Sequence, residues 1–374
     1  MSHDKKKLNY ELIPLTIAIF SMFFGAGNTI FPLIIGVQTT ANFGWAFIGL
    51  ALTAVGGPLL GLVTATLFCG HSKDFFSRFG KIIGFVLMTV SLALLGPFAV
   101  LPRCTAVAYA ATQPIFPFLS LAVFAILFGV IALFCCYKES FLFTILGYIL
   151  SPLLIACLLF ILYQGLLSDK MLAVASFSQG KAFTLGLFTG YDTMDLIASI
   201  FFSAGIWNMV VIRYPNQPKK ALKMTLKAGI LGCILLGAIY FGLGYTAALY
   251  SSDLINTPPQ ELISHLAMVT LGPKLSLIAN AAVALACLTT VISLTMTISD
   301  ILSKELFPRW ISYKKSCFFI LVITAAMTNI GFNVIMNIIH SVVSICYPII
   351  ILLTFINIFY KIRLIRRKND PYLQ

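Results

Sequence analysis

Two aspartates and one arginine stand inside stretches of sequence that are otherwise almost wholly apolar. Asp192 and Asp195 follow Gly186 and Gly190 in "LGLFTGYDTMDLIASIFF", and Arg103 lies in "GPFAVLPRCTAVAY". An ionisable group is costly to bury in apolar surroundings, so it marks a functional site by default. The sequence has no nucleophile and base pair, phosphate-binding loop or metal-ligand cluster. These charges therefore mark a candidate functional site, and the sequence offers almost no support for an enzyme.

The stretch "FFGAGNTIFP", Phe23 to Pro32, interrupts another apolar run with glycines, an asparagine and a proline. Unwound backbone is tolerated at membrane depth only where protein buries it or a cavity adjoins it. Its free N–H and C=O groups can then hold a carboxylate or a cation. We interpret Gly25 and Gly27 as points where a substrate approaches bare backbone, and Asn28 as an amide that can bond it. A simple kink with close helix packing is the alternative.

Hydroxyl groups form a stripe in "LACLTTVISLTMTISD". Thr289, Thr290, Ser293 and Thr297 recur at spacings of three and four residues, which places them on one face of a helix. Such oxygens suit a hard cation such as Na⁺. The alternative is that each hydroxyl bonds a carbonyl of its own helix.

Composition identifies the elements that must position these residues. The 374 residues are 60% hydrophobic and 10% charged, with a mean hydropathy of +0.99. Such a chain is too apolar for a soluble domain, and about 20 apolar residues cross a bilayer. We predict an all-α polytopic membrane protein with ten spans: 12–38, 43–68, 82–110, 118–137, 141–166, 184–211, 225–250, 273–299, 316–332 and 334–360.

Basic residues predict the orientation of these spans. All 25 lysines and arginines except Arg103, Lys170, Lys181 and Lys274 lie at the N-terminus, in alternate loops or in the tail. By the positive-inside rule both termini are cytoplasmic. This topology and anionic lipid account for the net charge of +13, so no nucleic-acid partner is needed.

Five spans in each half permit an inverted repeat. Interruptions at corresponding places, in spans 1 and 6, indicate a transporter's central binding site. We therefore predict one transmembrane domain over 1–374, with repeats at about 10–166 and 184–361 and a basic tail at 362–374.

The sequence resembles the bacterial branched-chain amino acid:cation symporters of the BrnQ type, which share the leucine-transporter fold. The matching stretches are "FFGAGNTIFP", "GPFAVLPRCTAVAY", "GYDTMD" and "LACLTT". The resemblance implies import of leucine, isoleucine and valine across the bacterial inner membrane by alternating access, driven by Na⁺ or alternatively by H⁺. The family usually has twelve spans, whereas ten are predicted here.

The resemblance also implies particular ligands. A Na⁺ ion is expected between the span 1 break and span 8, with ligands from five residues: Ser21, Phe24, Ala286, Thr289 and Thr290. The amino acid is expected to engage the two broken helices at Gly25, Ala26, Gly27, Asn28, Gly190, Tyr191 and Thr193.

Four ionisable residues are candidates for coupling or gating, or for structural roles. Asp195 matches the family's acid and is favoured as a coupling or structural carboxylate, whereas Asp192 could cap a half-helix beside a watery vestibule. Arg103 could pair with an acid, but we favour a side chain that snorkels towards the membrane surface. His340 is interpreted as a hydrogen-bonded packing residue.

The same sequence is also compatible with three alternatives: an exchanger, a carrier of another neutral amino acid, and a receptor-like membrane protein that binds its ligand without transport. An enzyme is not expected. No cofactor is predicted besides the coupling ion. The expected partners are the amino acid and the lipid bilayer.

Overall fold

The computed structural model describes residues 2–137, 151–215 and 217–366, within which all regular elements are helices. The first half contains α1 (Ser2–Phe23), α2 (Ala26–Thr39), α3 (Phe43–Ala54), α4 (Gly56–Leu67), α5 (Ser72–Phe76), α6 (Lys81–Leu95), α7 (Val100–Thr112), α8 (Leu121–Tyr137) and α9 (Ser151–Leu166). The second half contains α10 (Gln179–Asp192), α11 (Asp195–Arg213), α12 (Pro218–Leu249), α13 (Ser251–Leu254), α14 (Leu262–Ile301), α15 (Tyr313–Thr328) and α16 (Phe332–Arg366). Predicted positions 141–150 of span 5 and 367–374 of the tail lie outside the described residues.

Among the described residues, six helical stretches are long and apolar enough to cross a membrane: Gly27–Leu67, Lys81–Thr112, Gln179–Arg213, Pro218–Leu249, Pro259–Leu306 and Phe332–Leu364. Three shorter apolar helices cover Leu12–Phe23, Leu121–Tyr137 and Ile155–Leu166. Ten spans stay a prediction, because helix breaks and tight connections divide the chain differently from its hydropathy pattern.

Both predicted breaks are present. The first separates α1 from α2 at Phe24 and Gly25, and the second separates α10 from α11 at Thr193 and Met194. Met194 has a left-handed backbone with φ of 61°, a conformation that is uncommon for residues other than glycine. The chain thus bears a local conformational cost to hold the second break open.

A third break divides span 3. Gly96 and Pro97 lie between α6 and α7. Proline lacks an N–H group and its ring clashes with the preceding helical turn, so the helix ends before it. The break re-aims α7, which carries Arg103, towards the centre of the molecule.

The broken helices have reciprocal partners. α10 and α11 pack along α3 and α4, while α1 and α2 pack along α12. This exchange is the arrangement expected if the second half repeats the first, with α12 as the counterpart of α3 and α4. The predicted repeat bounds, 10–166 and 184–361, stay a prediction.

The remaining helices surround this group. α7 packs along α14, α8 packs along α15, and α9 covers another part of α14. α16 contacts both α4 and α10, so it reaches the second break from outside the reciprocal pairs. Two elements that carry predicted site residues, α7 and α14, are thereby held side by side.

The end of the molecule around α5 is closed by contacts with α16. Asn357 is fully buried and donates from Nδ2 to the carbonyl oxygen of Phe75 at 2.9 Å. The guanidinium carbon of Arg78 lies 3.5 Å from the ring centre of Tyr360. These contacts fix the loop after α4 against the last described helix.

Asn357→Leu is expected to lower the thermal unfolding midpoint of the purified protein. The leucine leaves the Phe75 carbonyl without this donor, which costs about 1–3 kcal/mol for a buried polar group. Asn337→Leu is the matched control, since Asn337 is exposed on the same helix. Equal midpoints for the two variants would contradict a stabilising role for the Asn357 contact.

Candidate functional site

A hydrogen-bonded asparagine joins the two main helix breaks. Asn28 is the third residue of α2, and its Oδ1 accepts the Gly25 N–H at 2.9 Å. Its Nδ2 donates to Oδ2 of Asp195 at 2.8 Å, across 167 residues of chain. Asn28 therefore caps one half-helix while it holds the start of another.

Asp195 is the first residue of α11 and is only 4% exposed. Besides Asn28, its Oδ2 accepts a hydrogen bond from the Tyr240 hydroxyl at 3.0 Å, and Tyr240 also contacts Nδ2 of Asn28. A carboxylate at a helix N-terminus is stabilised by the helix dipole. Asp195 is thus the centre of a buried polar network that spans α2, α11 and α12.

Tyr240 is a site residue that the sequence analysis missed. It is fully buried in α12, within the apolar stretch "AIYFGLGYTAAL". A buried tyrosine usually finds a hydrogen-bond partner for its hydroxyl, and that tendency was the one available signal. It could not identify Asp195 as the partner, because the two residues lie on different helices.

Arg103 does not snorkel, so the favoured interpretation of this residue is wrong. It is 1% exposed, and its Nη1 donates to the carbonyl oxygen of Asp192 at 2.8 Å. α7 is covered by α14 and other helices, which leaves no route to the surface for the side chain. The carbonyl groups at the C-terminal end of α10 form the negative end of a helix dipole, which favours a cation there.

Gly27 lies against Arg103. A Cβ atom on Gly27 would be 2.6 Å from Nη2 of Arg103, closer than real Cβ contacts allow. The guanidinium therefore explains why this position lacks a side chain. Approach of a substrate to Gly27 stays a prediction, and any substrate there would meet Arg103 as well.

Two other predicted glycines have protein neighbours of their own. A Cβ on Gly190 would lie 1.8 Å from Oγ1 of Thr53, so its missing side chain allows α10 and α3 to pack closely. A Cβ on Gly25 would lie 3.2 Å from Cγ2 of Thr290, on α14. The first break is thus adjacent to the hydroxyl stripe, as the sequence predicts.

Asp192 is in hydrogen-bond contact with an exposed histidine. Nδ1 of His340 lies 3.1 Å from Oδ2 of Asp192, and the two side chains are 58% and 11% exposed. His340 is hydrogen-bonded, as interpreted, but its ring is exposed rather than packed. Its ring is open to the surroundings, and its helix, α16, passes beside the second break.

α16 also holds the other side of that break. The hydroxyl of Tyr347 accepts the Leu196 N–H at 3.2 Å, and its ring centre lies 4.7 Å from that of Tyr191. Within the break, Oγ1 of Thr193 donates to the Gly190 carbonyl at 2.9 Å and accepts the N–H of Asp195 at 3.4 Å. The predicted residues Tyr191 and Thr193 therefore brace the break itself.

The hydroxyls of Thr289 and Thr290 both donate to the Ala286 carbonyl, at 2.8 and 3.0 Å. These are the bonds within one helix that the alternative interpretation predicts. They use only the hydrogen atoms of the hydroxyls, so the oxygen lone pairs can still face a cation. The structure therefore agrees with the alternative without removing these oxygens as ligands.

The residues before the first break complete the surroundings of the stripe. Oγ of Ser21 is buried and has no hydrogen-bond partner in the described part of the chain. Because the Gly25 N–H bonds Asn28, the Ser21 carbonyl lacks its usual helical donor. Phe24 lies in the break, where its N–H donates to the Phe20 carbonyl at 2.8 Å. Buried oxygen atoms thus lie beside the first break, and their binding of Na⁺ stays a prediction.

A sequence profile of the family described as "Branched-chain amino acid transport protein" matches residues 8–370. A putative branched-chain amino acid carrier protein of Staphylococcus saprophyticus is 30% identical over 354 residues, which cover 89% of this chain and 78% of the relative. One from Staphylococcus epidermidis is 29% identical over 360 residues, again covering 89% and 78%. The predicted family is confirmed.

Among solved structures, the chain is similar to Mhp1, a nucleobase-cation-symport-1 family transporter. The closed conformation of Mhp1 with bromovinylhydantoin bound gives a TM-score of 0.65 at 14% identity, covering 91% of this chain and 76% of Mhp1. Its inward-facing conformation gives 0.65 at 15% identity, covering 91% and 75%. At this identity the likeness concerns the fold alone, and it confirms the predicted transporter fold. Family and fold are those of membrane transporters rather than enzymes.

Proposed function

Because this chain belongs to the family of branched-chain amino acid transport proteins, we propose that it is a secondary active symporter. It imports leucine, isoleucine and valine with Na⁺ by alternating access. The observation that carries this proposal is the junction of two helix breaks by the Asn28–Asp195 hydrogen bond. Two helices begin and two helices end at these breaks, so backbone dipoles of both signs lie beside the junction, which would suit a zwitterionic amino acid.

The charges at the breaks support a coupling cation. With both acids ionised and His340 neutral, Asp192, Asp195 and Arg103 give two carboxylates and one guanidinium, hence a net charge of −1. Uncompensated charge is costly away from water, and a zwitterion adds none. A bound Na⁺ would balance the site, with the oxygens of Ser21, Phe24, Ala286, Thr289 and Thr290 as its ligands. A proton on one of the acids or on His340 is the alternative.

Coupling follows if cation and amino acid stabilise the same conformation. Each ligand shifts the equilibrium only by its difference in affinity between two states, and the effect is reciprocal. The first break offers a shared element, since Gly25 lies against Thr290 on one side and Gly27 against Arg103 on the other. Occupancy by Na⁺ would therefore pre-organise the backbone that the amino acid meets.

Uptake of labelled leucine into proteoliposomes tests the proposal. Purified protein in vesicles of phosphatidylethanolamine and phosphatidylglycerol is expected to accumulate leucine under an inward Na⁺ gradient. Accumulation only under a proton gradient would show that the coupling ion is H⁺ rather than Na⁺. Exchange without net accumulation would indicate an exchanger, and binding without any uptake would indicate a receptor-like protein. Uptake of other neutral amino acids in preference to these three would contradict the assigned substrates.

Thr289→Ala and Thr290→Ala are expected to raise the Na⁺ concentration needed for half-maximal leucine uptake. Each removes a hydroxyl ligand, and loss of one partner of a buried polar group costs about 1–3 kcal/mol. Thr297→Ala is the matched control, since its hydroxyl bonds the Ser293 carbonyl farther along α14 at 2.8 Å. Unchanged Na⁺ dependence in both variants would locate the ion elsewhere.

We also propose a bacterial inner-membrane location with both termini in the cytoplasm. Basic residues of the α5 end, such as Lys73 and Arg78, then face the cytoplasmic leaflet, whose anionic lipids attract them. The variants Lys181→Cys and Lys219→Cys are treated in intact cells with a membrane-impermeant maleimide, which labels cysteines. The labelling pattern distinguishes the two orientations. Labelling of Lys181→Cys but not of Lys219→Cys is the expected result.

A further inference from the structure

We propose that Arg103 binds the carboxylate of the transported amino acid, and thereby selects substrates that carry one. This inference rests on the proposed function and deepens it, since it assigns one group of the substrate to one side chain. The carrying observation is that Nε of Arg103 is buried and has no hydrogen-bond partner within the described residues. An unpaired buried donor is rare, and its persistence calls for a functional explanation.

The surroundings of the guanidinium favour an anion. Arg103 lies against Gly27, the second residue of α2, so a positive side chain meets the positive end of a helix dipole. This juxtaposition is unfavourable by itself. It becomes favourable when an anion binds between the backbone N–H groups and the guanidinium.

The protein's own carboxylates do not bond the guanidinium directly, although Asp195 and Asp192 act on its charge from farther away. Across 2–137, 151–215 and 217–366, no ion pair within 4.0 Å involves Arg103. Asp192 offers its backbone carbonyl to Arg103, while its carboxylate faces His340. Asp195 is engaged by Asn28 and Tyr240.

The guanidinium is also preorganised to bind a planar ligand. Its Nη1 is fixed by the Asp192 carbonyl at 2.8 Å, and its central carbon lies 4.9 Å from the ring centre of Phe31. A fixed fork loses little conformational entropy when it binds a carboxylate. The aromatic neighbour keeps water away, which strengthens a charge-assisted hydrogen bond.

A comparison of leucine with leucinamide tests this role. Leucinamide keeps the side chain and the ammonium group but replaces the carboxylate by a neutral amide. Binding of both compounds is measured by calorimetry on purified wild type, Arg103→Gln and Arg103→Lys, with size-exclusion chromatography to confirm folding. Glutamine is too short to replace Nη1 at the Asp192 carbonyl, so lysine, whose ammonium extends farther, is the variant that keeps a donor near that carbonyl.

The wild-type protein is expected to prefer leucine, and Arg103→Gln should weaken leucine binding about 10- to 150-fold. The affinity of Arg103→Gln for leucinamide should fall much less than its affinity for leucine, so the preference disappears. Arg103→Lys, which keeps the charge but loses the fork, should retain an intermediate preference, and it serves as the test if the glutamine variant does not fold.

Two results would overturn this inference and leave the proposed function standing. One is a folded variant that keeps the wild-type ratio of affinities, and the other is an equal loss of affinity for both compounds, which would assign Arg103 to positioning of the break alone. If the wild-type protein binds neither leucine, isoleucine nor valine, the proposed function fails and this inference fails with it.

Discussion

Asp195→Asn should reduce Na⁺-driven leucine uptake at least about 10-fold, since hydrogen bonds to a charged partner are worth about 1.5–3 kcal/mol. The Asp195 carboxylate is the shared acceptor for Asn28 and Tyr240, in a network with little access to water. Asparagine keeps the shape but removes the charge, and its amide can turn a donor towards the Asn28 amide. Initial rates in proteoliposomes measure the effect.

Asp192→Asn is the matched comparison for Asp195→Asn. The Asp192 carboxylate contacts the exposed ring of His340, whereas Asp195 is held by the buried side chains of Asn28 and Tyr240. The Asp192 carbonyl, which holds Arg103, is unaffected by the substitution. A smaller loss of uptake is therefore expected. Near-normal uptake by both variants would show that neither carboxylate is coupled to transport.

Gly27→Leu should abolish leucine binding. Even the first atom of the new side chain would lie 2.6 Å from Nη2 of Arg103, so the guanidinium has to leave its place beside α2. Binding per folded, detergent-purified molecule is measured by calorimetry. Gly129→Leu is the control, because a Cβ at Gly129 meets no atom within 4 Å.

A folded Gly27→Leu protein with unaltered leucine affinity would refute the assignment of this break as the site. The kink interpretation instead predicts less folded protein but normal binding by the folded fraction. The milder substitutions Gly27→Ala and Arg103→Gln, made singly and together, test the steric explanation. Their effects on thermal stability should be less than additive, since residues in contact couple.

The sequence was sufficient to predict the helix breaks, because their causes are local. Gly25 and Asn28 interrupt span 1 by their own backbone chemistry, and Gly96 with Pro97 does the same in span 3. The second break likewise follows an interruption by acids that is visible in the sequence. Short-range chemistry of this kind needs no knowledge of which helices are neighbours.

The partners of the charged residues could not be predicted in the same way. Burial of Arg103 depends on how α14 covers α7, and the Asp192–His340 pair depends on how α16 crosses α10. Gly27 was expected to make room for substrate, yet its closest neighbour is a side chain from a helix about 75 residues away in sequence. Such contacts are set by helix packing angles, which hydropathy does not encode.

The charge count at the second break has an electrical consequence for the proposed cycle. Loaded with Na⁺ and a zwitterion, the site is neutral and reorients without moving net charge through the membrane field. Empty, it carries one negative charge on its return, and an inside-negative voltage drives that charge outward. A potential of 100 mV is worth about 2.3 kcal/mol for one elementary charge. Membrane voltage would therefore accelerate the return of the empty carrier, while the import step itself would be almost insensitive to it.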